Sequence, residues 1–97
     1  MSYALKDGLP YVTMVPGETT DWSRDWTDKL EDGDTIATSV WDVPKGMTAG
    51  AESKSGPYTT QWVTSGDVGL FALVNEVTTS AGRKYRRTLL IGVVAAK

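Results

Sequence analysis

The chain has 97 residues, enough for one domain around one core, and it carries four tryptophans, ten glycines and neither cysteine nor histidine. Those two absences remove a disulfide staple, the usual zinc, copper and haem ligands, and Ser-His or Cys-His catalysis. A formal net charge of −2 argues against a general electrostatic grip on nucleic acid.

Taken in order, residues 1–8 carry no pattern, and residues 1–10 are expected to form a flexible N-terminal arm ahead of a single domain over residues 11–97. Tyr11-Val12-Thr13-Met14-Val15 reads as a first strand, stopped by Pro16-Gly17. Trp22, Trp26 and Leu30 follow at a spacing of four, which suits one face of a helix and also one face of a strand. Trp, Thr and Ser favour extended chain up to Trp26. Residues 27–32 then read as one short helical turn, with Thr27 as its N-cap and Gly33 as its left-handed stop.

Residues 34–43 return to strand with broken parity. Ile36 and Trp41 are five apart and Val43 follows two later, so all three face one core only if an extra residue bulges near residues 38–40. Pro44-Lys45-Gly46 ends that strand. Residues 47–56 are polar and aperiodic, with room for at most one weak strand. In residues 58–64, Gln61 and Val63 share one face. Trp62 lies between Thr60 and Thr64 on the other, which the threonines mark as the wetter face.

The strongest pattern is a C-terminal hairpin over residues 70–94. Read with period two, Phe71, Leu73 and Val77 share one face of the first arm, and Tyr85, Leu89, Ile91 and Val93 one face of the second. A three-residue loop, Ser80-Ala81-Gly82, with Gly82 at positive φ, sets Val77 opposite Tyr85, Asn75 opposite Arg87, Leu73 opposite Leu89 and Phe71 opposite Ile91. Both apolar faces then fall on one side, and Asn75 points inward with them, where its amide needs partners. The apolar run at residues 89–96 is too short to span a bilayer, which takes about 20 residues.

Asp28, Glu31, Asp32 and Asp34 crowd together, but their spacing does not fit a calcium loop, and a solvated turn accounts for them. No activated nucleophile or glycine-rich phosphate cradle is present, so no catalytic residue, metal or cofactor is expected, and the chain reads as a non-enzyme. Four tryptophans exceed what one small core needs. Trp41 and Trp26 are expected inside, leaving Trp22 and Trp62 as candidates for an interface anchor or a sugar-stacking platform. Arg83, Lys84, Arg86 and Arg87 form a local basic cluster. It is read either as a solvated edge that discourages strand pairing or as a patch for phosphate or an acidic partner.

The run from Phe71 to Arg83, with its Val-Thr-Thr-Ser-Ala-Gly-Arg ending, resembles the last two strands of an immunoglobulin-like sandwich. With Pro16-Gly17-Glu18, Asp25-Trp26, Gly33-Asp34-Thr35-Ile36, Trp41-Asp42-Val43-Pro44-Lys45-Gly46 and Gly66-Asp67-Val68-Gly69 upstream in order, the chain is similar to short immunoglobulin-like (PKD/BIG-like) structural proteins of tailed bacteriophages and prophages. The resemblance implies an all-β fold, an immunoglobulin-like antiparallel β-sandwich of about seven strands. It further implies a virion structural protein, a head decoration, head-fibre or tail-associated domain. Such a protein would adhere to other virion proteins on a capsid or tail lattice, or to copies of itself, and not to nucleic acid or membrane. Trp22, Trp62, Arg83, Lys84, Arg86 and Arg87 are the residues offered for that contact. The start of the chain lacks the apolar region of a signal peptide, so the expected location is host cytoplasm during synthesis and then the virion. A carbohydrate- or receptor-binding module is the competing reading, resting on exposed tryptophan.

Overall fold

The computed structural model describes residues 4–6 and 9–95, and it is all β. Eight strands are present among the described residues: β1 (Ala4–Lys6), β2 (Leu9–Met14), β3 (Thr19–Asp25), β4 (Ile36–Asp42), β5 (Met47–Ser55), β6 (Tyr58–Ser65), β7 (Gly69–Thr79) and β8 (Lys84–Val93). They form a five-stranded sheet in the order β1-β2-β8-β7-β4 and a three-stranded sheet in the order β3-β6-β5. No helix is long and apolar enough to cross a membrane among the described residues. Of the arm expected over residues 1–10, β1 and the first residues of β2 are described as paired strands. Residues 1–3 and 7–8 lie outside the described residues.

The hairpin β7–β8 has the register that its pattern requires, with Phe71, Leu73, Asn75 and Val77 opposite Ile91, Leu89, Arg87 and Tyr85. The Thr79 amide donates to the Arg83 carbonyl at 2.7 Å, the Gly82 amide returns to Thr79 at 2.9 Å, and Gly82 takes φ +94°. In β6, Thr59, Gln61, Val63 and Ser65 are buried while Tyr58 and Trp62 are exposed. The alternation there follows the sequence.

One core runs between the sheets. At one end Met14, Trp22, Val63, Leu73, Ile91 and Val93 are buried together, with Val12, Trp41, Val43, Met47, Phe71 and Leu89 packed around them. At the other, Trp26, Ile36 and Val77 are buried, with Leu30 and Tyr85 against them. The Trp26 indole donates to Thr59 Oγ1 (3.1 Å) and Asn75 Oδ1 (3.0 Å), and the Thr59 hydroxyl also donates to Asn75 Oδ1. The Asn75 amide nitrogen donates in turn to Ser39 Oγ and the Val40 carbonyl. Four polar side chains and one backbone carbonyl thus meet in one network, the condition under which a buried amide is tolerated.

Several expectations are corrected. The arrangement is not wholly antiparallel, because β2 runs parallel to β8. After β2 the chain turns at Pro16-Gly17 and crosses to the other sheet as β3. No helical turn forms over residues 27–32. The Asp25 carboxylate, not Thr27, binds the local donors, taking the Thr27 amide and hydroxyl, and the Lys29 and Leu30 amides close back on the Trp26 carbonyl. With Trp26 pinned in the core and Leu30 drawn in against it, the chain turns away before a helix can propagate. The bulge lies earlier than expected, at Ala37, between the Ile36–Thr79 and Thr38–Thr78 pairs. Asn75 reaches Ser39 and Val40, which need a regular ladder, so the extra residue is displaced toward the start of β4. Trp22, offered as a surface residue, is only 8% exposed. It has the inward parity of Trp26 and packs in one cluster with Met14 of β2, Leu73 of β7 and Ile91 and Val93 of β8.

Candidate interaction surfaces

The molecule presents two outer sheet faces, and both expose large apolar side chains. On the five-stranded sheet, parity turns Val40, Leu70, Ala72, Val74 and Leu90 outward. Val40 is 60% and Leu70 52% exposed, Ala72 is exposed, and Val74 and Leu90 are half-buried. Tyr11 lies on the same face, its ring occupying the space that a side chain at Gly92 would fill. An outer face that only met water would alternate to polar residues at these positions.

The rim of that face is charged. The Arg86 guanidinium donates to Glu76 Oε2, and the Lys84 ammonium lies 3.7 Å from Glu76 Oε1. The Arg86 hydrogen bond is the main cause holding the Glu76 carboxyl below its ordinary range. A shallow depression lined by Val40, Asp42, Val74, Glu76, Arg86 and Thr88 opens on this face.

On the three-stranded sheet, Trp62 is 43% and Tyr58 51% exposed, with Asp21 and Asp25 of β3 directly opposite them. Between and beyond these pairs stand hydroxyl pairs, Ser23 with Thr60 and Thr19 with Thr64. On its other flank, Trp62 faces the β5 bulge. A Cβ at Gly50 would come within 3.1 Å of the Trp62 Cβ, so glycine there leaves the indole room.

The basic cluster that the sequence groups together divides by parity and partner. Arg83 spans to Glu31 (3.7 Å) and Asp34 (3.6 Å), tying the hairpin tip to the β3–β4 connection. Burial alone would raise the Asp34 carboxyl, but hydrogen bonds from Thr79, Ala81 and Thr35, with the Arg83 charge, hold it below its ordinary value. Lys84 and Arg86 share Glu76 on the outer face. Arg87 turns inward instead, toward the Trp26 ring, 5.8 Å from its centroid.

A residue that sequence reading missed joins it. Arg24 on β3 lies 5.4 Å from the same ring centroid. Its place midway between Trp22 and Trp26, at their parity, was the signal available. Beside these arginines a cleft of about 40 Å³ opens between the sheets, lined among others by Trp22, Arg24, Trp41, Asn75, Arg87 and Leu89. Of the residues offered for partner contact, Trp62, Arg83, Lys84 and Arg86 therefore lie on three different surfaces, Arg87 lines the cleft between the sheets, and Trp22 is buried.

A family model described as "Podophage GP4 fiber-tail adaptor protein gp77" matches residues 14–92. Among solved structures, an endo-fucoidan hydrolase from glycoside hydrolase family 107 superposes with a TM-score of 0.56 at 14% identity, over 93% of this chain and 13% of that one. That likeness is one of fold. No curated protein matches.

Proposed function

Because the chain belongs to the podophage GP4 fiber-tail adaptor gp77 family, we propose that it is a non-enzymatic virion protein that joins tail to fibre by protein–protein contact. Head decoration and head-fibre attachment are the other virion sites to which the same surfaces could be put. The immunoglobulin-like description of the two-sheet fold belongs to this reading as well.

The observation that carries it is that both outer faces, on opposite sides of one thin domain, expose large apolar residues: Val40 and Leu70 on one, Tyr58 and Trp62 on the other. A bridge needs two separate surfaces, and contiguous exposed apolar area on a small soluble domain marks interaction sites. Trp62 has the amphipathic bulk typical of interface anchors. The flanks of one such domain offer contact areas of roughly 800 Å² per partner at most, so repeated copies around a symmetric tail would add avidity to modest single contacts.

The test separates the faces. Leu70→Asp and Trp62→Ala are introduced singly, folding is confirmed by circular dichroism, and each protein is offered to purified tails and purified fibres. Each variant should lose one partner and keep the other. If both variants retain both partners, the outer faces are not the bridge. A glycan-binding reading is favoured by one feature, the placing of Asp21 beside Trp62, since an aromatic ring with an adjacent acceptor suits a sugar.

A further inference from the structure

The two inward cations, Arg24 and Arg87, stand in an environment unlike that of the other arginines. Arg83 and Arg86 each meet a carboxylate. Neither Arg24 nor Arg87 has an acidic partner among the described residues. Arg87 gives one Nη1 hydrogen bond to the Arg86 carbonyl. Asp25 feels the charge of Arg24, but it lies on the opposite face of β3 and its carboxylate is taken by Thr27.

Both guanidiniums lie over one indole, 5.4 and 5.8 Å from its centroid, a placement that concentrates positive charge beside the cleft. The polar groups left unmet around them are donors. Arg24 Nε and Trp41 Nε1 are buried without a partner. Asn75 Oδ1, which lines the same cleft, already receives two hydrogen bonds. Donors alone, with two positive charges, call for an anionic acceptor.

Size then narrows the anion. The cleft holds about 40 Å³, whereas sites for cofactors and drug-sized ligands run to roughly 300–1,000 Å³. That volume is too small to enclose a nucleotide or an oligosaccharide and matches a single planar carboxylate, which guanidinium groups favour as a bidentate partner. We infer that the open side of the cleft between β3 and β8 is a carboxylate-binding site, filled by an acidic side chain of a protein that this chain bridges. The identity of the occupant rests on the adaptor reading above; the existence of the site does not.

Two measurements decide the two halves. In the first, the full ¹⁵N-labelled chain is titrated at constant ionic strength with glutarate, and in separate arms with sulfate and with inorganic phosphate. The Arg24 Nε–H and Trp41 Nε1–H resonances are followed. Glutarate should shift both saturably. Arg24→Gln and Arg87→Gln should each weaken that binding about tenfold or more, Arg83→Gln should leave it unchanged, and the lysine variants should recover part of it. Tighter binding of sulfate or phosphate than of glutarate would show a site for tetrahedral anions and overturn the carboxylate assignment; so would a titration in which neither resonance moves.

In the second, wild type and the Arg24→Gln/Arg87→Gln double variant, matched for thermal unfolding, are offered to tails and fibres. The wild type should bind one of them in a salt-sensitive way that the double variant loses. Equal capture of both proteins would overturn the assignment of the occupant. If the wild type binds neither tails nor fibres, the adaptor reading fails, while the glutarate titration still decides the site.

Discussion

The two ends of the core are built on different principles. At the Trp22 end, Met14, Val63, Leu73, Ile91 and Val93 meet as apolar side chains. At the Trp26 end a hydrogen-bonded chain runs from the indole through Thr59 and Asn75 to Ser39 and Val40. The first end gains its stability from area removed from water, which is tolerant of shape. The second gains uniqueness, because each polar member is satisfied only when β3, β4, β6 and β7 are all in register. The lesson is that Asn75 acts as a register pin, and that the bulge position in β4 follows from it.

The largest break in this comparison is Trp26→Ala, which empties a fully buried site and removes the indole donor from both Thr59 and Asn75. It should cost roughly 3–5 kcal/mol, a large share of the total stability of a small domain, as read from chemical denaturation. Next comes a pair of swaps two residues apart on β7. Asn75→Leu takes away the acceptor of the Thr59 hydroxyl and the donor to Ser39 Oγ and the Val40 carbonyl, leaves the indole N–H with Thr59 Oγ1 alone, and should cost about 3 kcal/mol. Leu73→Met, at the apolar end, should cost less than about 1.5 kcal/mol. Equal losses in these two variants would remove the distinction between the ends.

A smaller effect concerns acid. Asp25 and Asp34 are both held below the ordinary carboxylate value of 3.8, Asp25 first by the Thr27 hydroxyl and Asp34 by the hydrogen bonds and Arg83 charge that outweigh its burial. A group depressed on folding contributes stability that is present above its unfolded pKa and is lost as pH falls through the folded one. Unfolding midpoints should therefore drop as the pH is lowered below about 4. Asp34→Asn should flatten part of that drop, measured by thermal melts across the pH series. The smallest effect is Trp62→Ala, which should change stability by no more than about 0.5 kcal/mol. A larger loss would mean that the three-stranded sheet depends on its outer face.

How much of this was legible in the sequence depended on whether a local pattern decided the outcome. The β7–β8 register and the inward Asn75 followed from period two and a glycine turn, because both are settled within one hairpin. The split of β6, with Gln61 inside and Trp62 outside, was likewise legible from its threonines. Trp22 was not, since its burial depends on β2 joining the far side of the other sheet, a pairing without local signal. Arg24 was missed for a related reason. An arginine between two buried tryptophans reads as solvent-facing until the sheet opposite is known to bring Arg87 to the same ring.

The parallel pairing of β2 with β8 has a mechanical consequence. Tyr11, Val12, Thr13 and Met14 lie beside Leu90, Ile91, Gly92 and Val93, with both strands running the same way. If tension enters ahead of β2 and leaves beyond β8, it pulls the two strands along their length in opposite senses. The ladder is then loaded in shear, so its hydrogen bonds and the packed Met14–Val93 contact must yield nearly together instead of opening one after another like a zip. If the chain joins tail to fibre as proposed, this parallel ladder is the part of the larger sheet that such a pull would load in shear.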